Sequence, residues 1–379
     1  MSNLLRLEST MRGKFHPAAA PTSRLLLLSF LVALLPSCAS LTLTSRPTDS
    51  ARVNPPHSIT LCNEPIPLED PIVWERLDRE FTIAVWDRPQ VTLWLKRTGR
   101  YFPYIEQRLA EEGLPGDLKY LAVAESALLP TIRSNKGASG LWQLMPRTGR
   151  HYGLRKNRLI DERLDFERAT DAALNYIKHL RDSFDSWSLV LAAYNCGEYH
   201  LKREMKKQRV NDFYSLNLPS ETERFIFRIT AIKIIMENPQ LYGYRLAKKQ
   251  MYQPLDYDTV EVRVDKRSHL TDMAAALGTD YRVLKELNPH ILRHQLPTGE
   301  YALRVPLGAG ERVAKFLQKN DRGGSVGIVE VSKGHYIVKP GDTLSHIARR
   351  TGVPIGILKR LNGINGSLVR VGERLQLAP

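Results

Sequence analysis

The side chain most suited to chemistry in this 379-residue chain is a carboxyl on the apolar face of an expected helix. In the run Leu118-Lys119-Tyr120-Leu121-Ala122-Val123-Ala124-Glu125-Ser126, positions 118, 121, 122 and 125 share one helical stripe, and three of the four are apolar. Glu125 therefore faces a poorly solvated wall. Desolvation disfavours the anion and raises the pKa, which keeps a carboxylic acid protonated near neutrality and able to donate its proton. Pro130 is expected to end the helix, leaving Glu125 near its C-terminal end, where the helix dipole pushes in the same direction. The alternative is a structural ion pair, with Arg133 as the partner.

Three further groups follow in order. They are Gly137-Ala138-Ser139-Gly140-Leu141-Trp142-Gln143-Leu144-Met145-Pro146, then Ala192-Ala193-Tyr194-Asn195-Cys196-Gly197, then Glu221-Thr222 before an apolar helical run. An ES pair, GLWQ-x-MP and AYN-x-G in this order resemble the lytic transglycosylase family, which shares the fold of goose-type lysozyme; the membrane-bound D-type subgroup looks nearest. The resemblance runs from about Trp74 to the C-terminus. Breaking a glycosidic bond needs a proton on the leaving oxygen and a stabilised oxocarbenium-like transition state, and most glycosidases use two carboxylates. The resemblance implies one. Glu125 would protonate the leaving oxygen, then take a proton from the C6 hydroxyl of N-acetylmuramic acid as that hydroxyl closes a 1,6-anhydro ring. An intramolecular nucleophile has a high effective molarity, so no water need be activated.

Carried over by position, the resemblance makes Ser134, Gln143, Met145, Tyr194, Asn195 and Glu221 the substrate-binding set. A Gln amide both donates and accepts, which suits an N-acetylated glycan. Substrate contact is favoured for Gln143 and Tyr194, and largely structural roles for Trp142, Asn195 and Gly197. The chain departs from the family pattern in lacking a Pro just before the ES pair, in Phe225 for a Tyr after the ET pair, and in Cys196 for a small residue. Two other readings stand beside this one. A muramidase-type hydrolase would need a second carboxylate holding water, with Asp117, Asp161 and Glu221 as candidates. A non-catalytic wall-binding scaffold would have no use for an intact Glu125 and Gln143.

The formal charge is +15, to which residues 1–37 contribute Arg6, Arg12, Lys14 and Arg24 against Glu8. A basic balance suits nucleic acid, anionic headgroups or an acidic polymer. No nucleic-acid-binding module is present, so the muropeptide carboxylates of peptidoglycan are the natural anionic partner. Arg24 precedes the apolar run Leu25–Leu35, which is short for a membrane span but fits the core of a signal peptide. The run ends in Leu34-Leu35-Pro36-Ser37-Cys38, which looks like a lipobox with Cys38 lipidated and the protein anchored on the periplasmic side of the outer membrane. Cleavage after Ala39, releasing a soluble periplasmic protein, is the alternative. Cys62 and Cys196 are expected as free thiols, and no spacing suggests a metal or cofactor site.

The expected fold class is multidomain: an α-helical lysozyme-like catalytic domain, a small α+β (βααβ) module and a degenerate copy of that module. Residues 1–38 form the leader, 39–70 a flexible tether, 71–113 a helical lead-in, and 114–245 the catalytic domain. Residues 335–379 alternate strand, turn, two helices and strand. Gly341-Asp342-Thr343-Leu344 and Leu361-Asn362 carry a resemblance to the LysM module, which binds N-acetylglucosamine-containing glycans in a groove between its first strand–helix loop and its last helix–strand loop. The resemblance makes Gly341, Asp342, Thr343, Leu344 and Asn362 the glycan-binding set, although Asp342 also reads as a helix N-cap. Residues 258–307 repeat the pattern without the Gly-Asp-Thr-Leu turn, and 308–334 read as a linker. A catalytic domain tied to weak glycan binders gains effective concentration on an insoluble polymer.

Overall fold

The computed structural model describes residues 54–320, 328–332, 335–351, 353 and 355–377; the expected leader and Cys38 lie outside them. The chain is multidomain, a helical domain followed by two small α+β units. The stretch 54–70, expected to be part of a tether, is packed instead. A hairpin of β1 (Thr60–Leu61) and β2 (Glu64–Pro65) sends Leu61, Cys62, Ile66 and Leu68 into the main core. Its polar groups are satisfied by distant residues. Lys233 donates to Thr60 O (2.8 Å), and Cys62 and Trp187 donate their backbone N–H groups to Asp117 (2.8 Å) and Glu64 (2.7 Å). Composition signalled a tether because few residues here are apolar, but Leu61, Cys62, Ile66 and Leu68 are buried and Ile59 packs half-buried against the core.

The helical domain starts with α1 (Pro71–Trp86), where the Asp70 side chain accepts from the N–H of Ile72 and Pro71 occupies the first turn. Then come α2 (Arg88–Glu111), α3 (Lys119–Ser126), α4 (Pro146–His151), α5 (Phe166–Ser183), α6 (Trp187–Cys196), α7 (Glu198–Gln208) and α8 (Ser220–Glu237). One core runs from Leu61 to Tyr244, so the expected lead-in and catalytic segments are a single packed body. Its axis is α8, buried on nearly every side by Phe225, Ile226, Phe227, Ile229, Thr230, Ile232 and Ile235, as expected of a helix apolar all round. Helices α1, α3 and α6 pack on it. Lys233 is buried with them, its ammonium 2.7 Å from Asp117 just ahead of α3.

The first α+β unit consists of β3 (Tyr257–Val264), β4 (Ser268–His269), α9 (Leu270–Leu277), α10 (Tyr281–Leu287), β5 (Gln295–Leu296), β6 (Gly299–Pro306), α11 (Gly310–Asn320) and β7 (Ile328–Ser332). Val260, Val262 and Val264 alternate inward on β3, which lies between β6 and β7 in an antiparallel sheet. The expected linker 308–334 is therefore largely part of this unit: α11 buries Val313 and Leu317, and β7 is the third strand. The i, i+4 spacing of Val313 and Leu317 was visible, but the flanking glycines read as punctuation. The second unit has β8 (His335–Ile337), α12 (Leu344–Thr351), α13 (Ile355–Leu361) and β9 (Arg374–Gln376) around Tyr336, Leu344, Ile347, Leu358 and Leu375.

The two units are closed by the same device. Asn288 and Asn362 each follow the second helix. Each donates through Nδ2 to the carbonyl four residues back (2.9 and 2.8 Å) and to a carbonyl on the closing strand, Arg304 O (2.6 Å) and Gln376 O (2.9 Å). Each accepts, through Oδ1, the N–H of that same strand residue (2.9 and 2.6 Å). Every amide group of Asn362 thus holds backbone, so the glycan contact expected of it gives way to a structural one. Replacing Asn288 with Ala should cost the first unit roughly 2–4 kcal/mol, because buried main-chain groups lose their partners; a lowered urea midpoint of the full chain would register it.

Candidate functional site

Glu125 occupies the last turn of α3. Two consecutive left-handed residues, Ala127 (φ 53°) and Leu128 (φ 58°), end the helix ahead of Pro130. A bulky residue there is strained, and such strain collects at functional sites. The Arg97 guanidinium secures the turn by donating to Ala127 O (3.0 Å). Glu125 is half-buried, and among the described residues no hydrogen bond or ion pair reaches its carboxyl. Desolvation pushes its pKa up to about 8; Arg228 opposes this and Glu221 reinforces it. Arg228 is a weak opponent because it is shared with the buried Glu80 (3.8 Å), which also binds Arg224 (2.6 Å). The suggested partner Arg133 is turned away, 2.9 Å from Asp161.

Tyr194 links Glu125 to the loop 132–145, which is shaped by one buried cation. Arg163, 1% exposed, donates through Nη1 to Gly137 O (2.7 Å) and Leu144 O (2.8 Å), and through Nε and Nη2 to Asp161 (2.9 Å each). Burial alone would raise the Asp161 carboxyl; Arg163 and Arg133 outweigh it and hold the group below its ordinary range. Gly140 (φ 85°) presses against the same segment: a Cβ there would lie 1.7 Å from Arg163 O. Trp142 is the loop's buried anchor, its Nε1 donating to Thr170 Oγ1 (2.9 Å).

The expected contact residues divide. Gln143 is left-handed (φ 46°) and donates through Nε2 to Gly140 O (2.8 Å) and Ile132 O (3.3 Å), so only Oε1 is open to a ligand. Met145 is 44% exposed. Ser134 is exposed in a tight turn where its Oγ accepts from the N–H of Ala138 (3.0 Å). Tyr194 lies within electrostatic range of Glu125, but its hydroxyl donates to Trp142 O (2.7 Å), tying α6 to the loop. Asn195 accepts from Thr222 Oγ1 (2.9 Å), joining α6 to α8. Glu221, exposed on the first turn of α8, faces Lys136 of the loop at 3.5 Å and marks the opposite rim. Cys196 is a free thiol pushed up to about 11 by burial, and hence unreactive.

Sequence reasoning missed three features. Arg163 carries no motif signal, since its importance lies in what it reaches. Tyr152 and Tyr176 continue the ring of Tyr194 into a half-buried aromatic row, with centroids 5.5 and 5.3 Å apart. On α5, Tyr176 borders the apolar stripe and reads as core. Glu80 lies in a helix remote in sequence from the site.

The comparisons agree with this arrangement. Residues 103–217 match the Transglycosylase SLT domain family, 336–378 the LysM domain family, and 258–321 the family described as Lytic transglycosylase MltD, LysM-like domain. The chain is 31% identical over 296 residues to membrane-bound lytic murein transglycosylase D of Escherichia coli (strain K12), covering 74% of this chain and 64% of that protein. Residues 103–217 thus carry a transglycosylase SLT domain, and the chain is similar to a lytic transglycosylase over most of its length. It spans just under two thirds of that relative's length. It is also 30% identical over 157 residues to an Alteromonas sp. (strain M-1) protein whose name refers to tributyltin chloride resistance, covering 40% of this chain and 75% of that one. Among solved structures, the soluble lytic transglycosylase SLT70 of Escherichia coli aligns with 38% of this chain and 23% of its own (22% identity, TM-score 0.27). Lytic transglycosylase Slt of Pseudomonas aeruginosa aligns with 40% and 26% (20% identity, TM-score 0.31).

In the LysM-matching module the expected contact set also divides. Leu344 is core, while Gly341 and Thr343 are exposed. Asp342 is not the N-cap: its carboxylate accepts from Tyr336 OH (2.6 Å) and Lys339 N–H (2.9 Å), and Thr343 Oγ1 caps α12 at His346 (3.2 Å).

Two stability tests follow from the buried charges. Arg163→Met strands Asp161 and should lower stability by roughly 3–5 kcal/mol, read as a falling denaturation midpoint. Glu125→Gln should act the other way, with a dependence on pH. A raised carboxyl pKa means the folded state holds its proton between about 4.5 and about 8, so stability declines as pH rises through that window. The variant should therefore melt above the parent at pH 9, with the gap closing toward pH 4.5.

Proposed function

We propose that this protein is a lytic transglycosylase of peptidoglycan. It cleaves the β-1,4 bond between N-acetylmuramic acid and N-acetylglucosamine and leaves 1,6-anhydro-N-acetylmuramic acid. The observation that carries the reading is Glu125 itself: a carboxyl with its pKa pushed up to about 8, bearing no ion pair among the described residues, within electrostatic range of Glu221, which meets Lys136 of the 132–145 loop. At pH 7 it is the acid form, as proton delivery to a leaving oxygen requires. After delivery the anion sits in a poorly solvated site and is a strong base toward the sugar's C6 hydroxyl. That hydroxyl is intramolecular, so the cycle closes without a bound water.

The other acids support a single-carboxylate cycle. Asp117 is held by Lys233 and Asp161 by Arg163 and Arg133, which leaves them as structural anions. Glu221 is exposed on the rim and raises the Glu125 pKa, favouring the acid form. The Tyr152–Tyr176–Tyr194 row offers apolar faces for sugar rings, and Gln143 Oε1, Ser134 and Asn195 offer polar contacts. Gly341 and Thr343 of the C-terminal module are the exposed groups for a second hold on the polymer. The cell envelope is the setting in which this substrate occurs, with Cys38 as the anchor.

Digestion of purified wall followed by mass spectrometry tests the reaction. Anhydro muropeptides, one water lighter than hydrolysed ones, are expected; reducing-end muramic acid as the sole product would overturn the cyclisation and assign Glu221 a water-holding role. Glu125→Gln should lower turnover by about 10²-fold or more. The parent rate should fall as pH rises through about 8, where Glu125 loses its proton. A rate still climbing at pH 9 would remove Glu125 as the acid.

A further inference from the structure

The first α+β unit keeps a groove between its opening strand–helix turn and its closing helix–strand segment, but the lining is of a different chemical kind from that of a sugar site. The groove encloses about 330 Å³ and is lined by Arg267 and His269 on one edge, Arg293, His294 and Gln295 on the other, and Leu159 of the helical domain. Both arginines are exposed, and among the described residues neither has a carboxylate or any other hydrogen-bond partner. The arginines that dock this unit onto the helical domain are all satisfied: Arg155 by Glu162 (2.8 Å) and Arg304 by Asp165 (2.7 Å) and Glu167 (3.2 Å). Arg267 and Arg293 thus stand as unpaired guanidiniums on the two edges of the groove.

The histidines add donors. Gln295 Nε2 can only donate, so at 2.8 Å it fixes His269 Nε2 as acceptor and places that ring's proton on Nδ1. Tyr281 OH lies 2.7 Å from His294 Nδ1, which leaves Nε2 of that ring for a ligand. No acidic side chain and no aromatic carbocycle lines the groove. A neutral sugar needs acceptors for its hydroxyls and a flat apolar face beneath its ring. This groove offers one amide oxygen, on Gln295, and no flat aromatic face, but its two guanidinium forks match a carboxylate. The turn at this point also differs in charge. It reads Lys266-Arg267-Ser268-His269, where the C-terminal module has Pro340-Gly341-Asp342-Thr343.

We propose that this groove binds a peptide carboxylate, the anionic stem carried by a peptidoglycan strand, rather than the bare glycan. The inference rests on the substrate proposed above and adds the part of it that this unit reads. The position suits the task. Leu292 N–H donates to Leu159 O (2.8 Å), Ile160 bridges to Ile291, and His290 O accepts from the N–H of Asp161 (2.9 Å), the acid that orients Arg163 under the cleft loop. A stem held in the groove would therefore lie against the segment that supports the cleft loop, with its glycan strand leading away from a fixed point on the helical domain.

The test uses the full chain carrying Glu125→Gln, so that no wall is consumed, and measures sedimentation with insoluble peptidoglycan. Two walls are compared, one intact and one stripped of its peptide stems by an amidase. Arg267→Ala/Arg293→Ala should weaken binding to intact wall about tenfold, the loss of one to two charge-assisted contacts, and change binding to stripped wall less than twofold. Its affinity for intact wall should also depend less steeply on salt. Both substitutions are on exposed, unpaired side chains, and an unchanged melting temperature verifies the fold. Equal affinity of parent and variant on intact wall, or equal loss on both walls, would overturn the proposal. So would a loss seen only on vesicles of anionic phospholipid, which would make the groove a phosphate site. A parent that sediments with neither wall would instead overturn the proposed substrate, and this inference with it.

Discussion

The buried pair of Asp161 and Arg163 is the constraint on which the rest of the architecture turns. A guanidinium at 1% exposure is tolerable only if every N–H finds an acceptor, and here the acceptors are one carboxylate and two carbonyls of the cleft loop. Satisfying the cation therefore dictates the path of residues 137–144. The close approach of Gly140 to Arg163 O and the left-handed Gln143 follow from that path. Once the loop is fixed, Tyr194 can bond to Trp142 O, and α6 is drawn against the side of Glu125. Geometry at the acid is thus set by a charge pair remote from it in sequence.

The same short segment faces two ways. Residues 155–167 give Asp161 and Arg163 to the helical domain, while Ile160 enters the core of the first α+β unit and Asp165 and Glu167 bind Arg304 across the junction. Tyr257 OH (2.5 Å) and Arg374 (3.3 Å) join at Glu167. His290, held neutral by burial with its pKa down to about 4, adds bulk without a competing charge. Because charges at this junction are paired on both sides, the units are held by directional contacts and not only by apolar area. The two small α+β units are consequently fixed relative to the segment that supports the 132–145 loop.

Much of the fold was legible because it follows from local pattern. The apolar run after Glu221-Thr222 reads as a helix, and its Ile226, Ile229, Thr230, Lys233 and Ile234 are all buried. The 258–307 pattern located β3, α9, α10 and β6. The failures have one physical character. Residues 54–70 have few apolar groups and α11 is flanked by glycines, and both are ordered by partners elsewhere in the chain, Lys233 and Asp117 for the hairpin and β3 for α11. Asn362 and Asp342 were read as ligand contacts from their motif, but turn geometry directs their polar atoms to backbone and to Tyr336.

The sequence by itself determined the elements and the identity of the candidate acid, since helical periodicity places Glu125 among Leu118, Leu121 and Ala122 whatever the remainder does. It could not determine what that acid experiences. Whether Arg133 or Arg228 neutralises it, whether another carboxylate stands across the cleft, and whether Gln143 points its amide at a ligand or at Gly140 O are questions of distance between segments. Those distances exist only once Asp161, Arg163 and Glu80 have claimed the nearby arginines and main-chain groups, because charge and hydrogen-bonding capacity are shared through space and not along the chain.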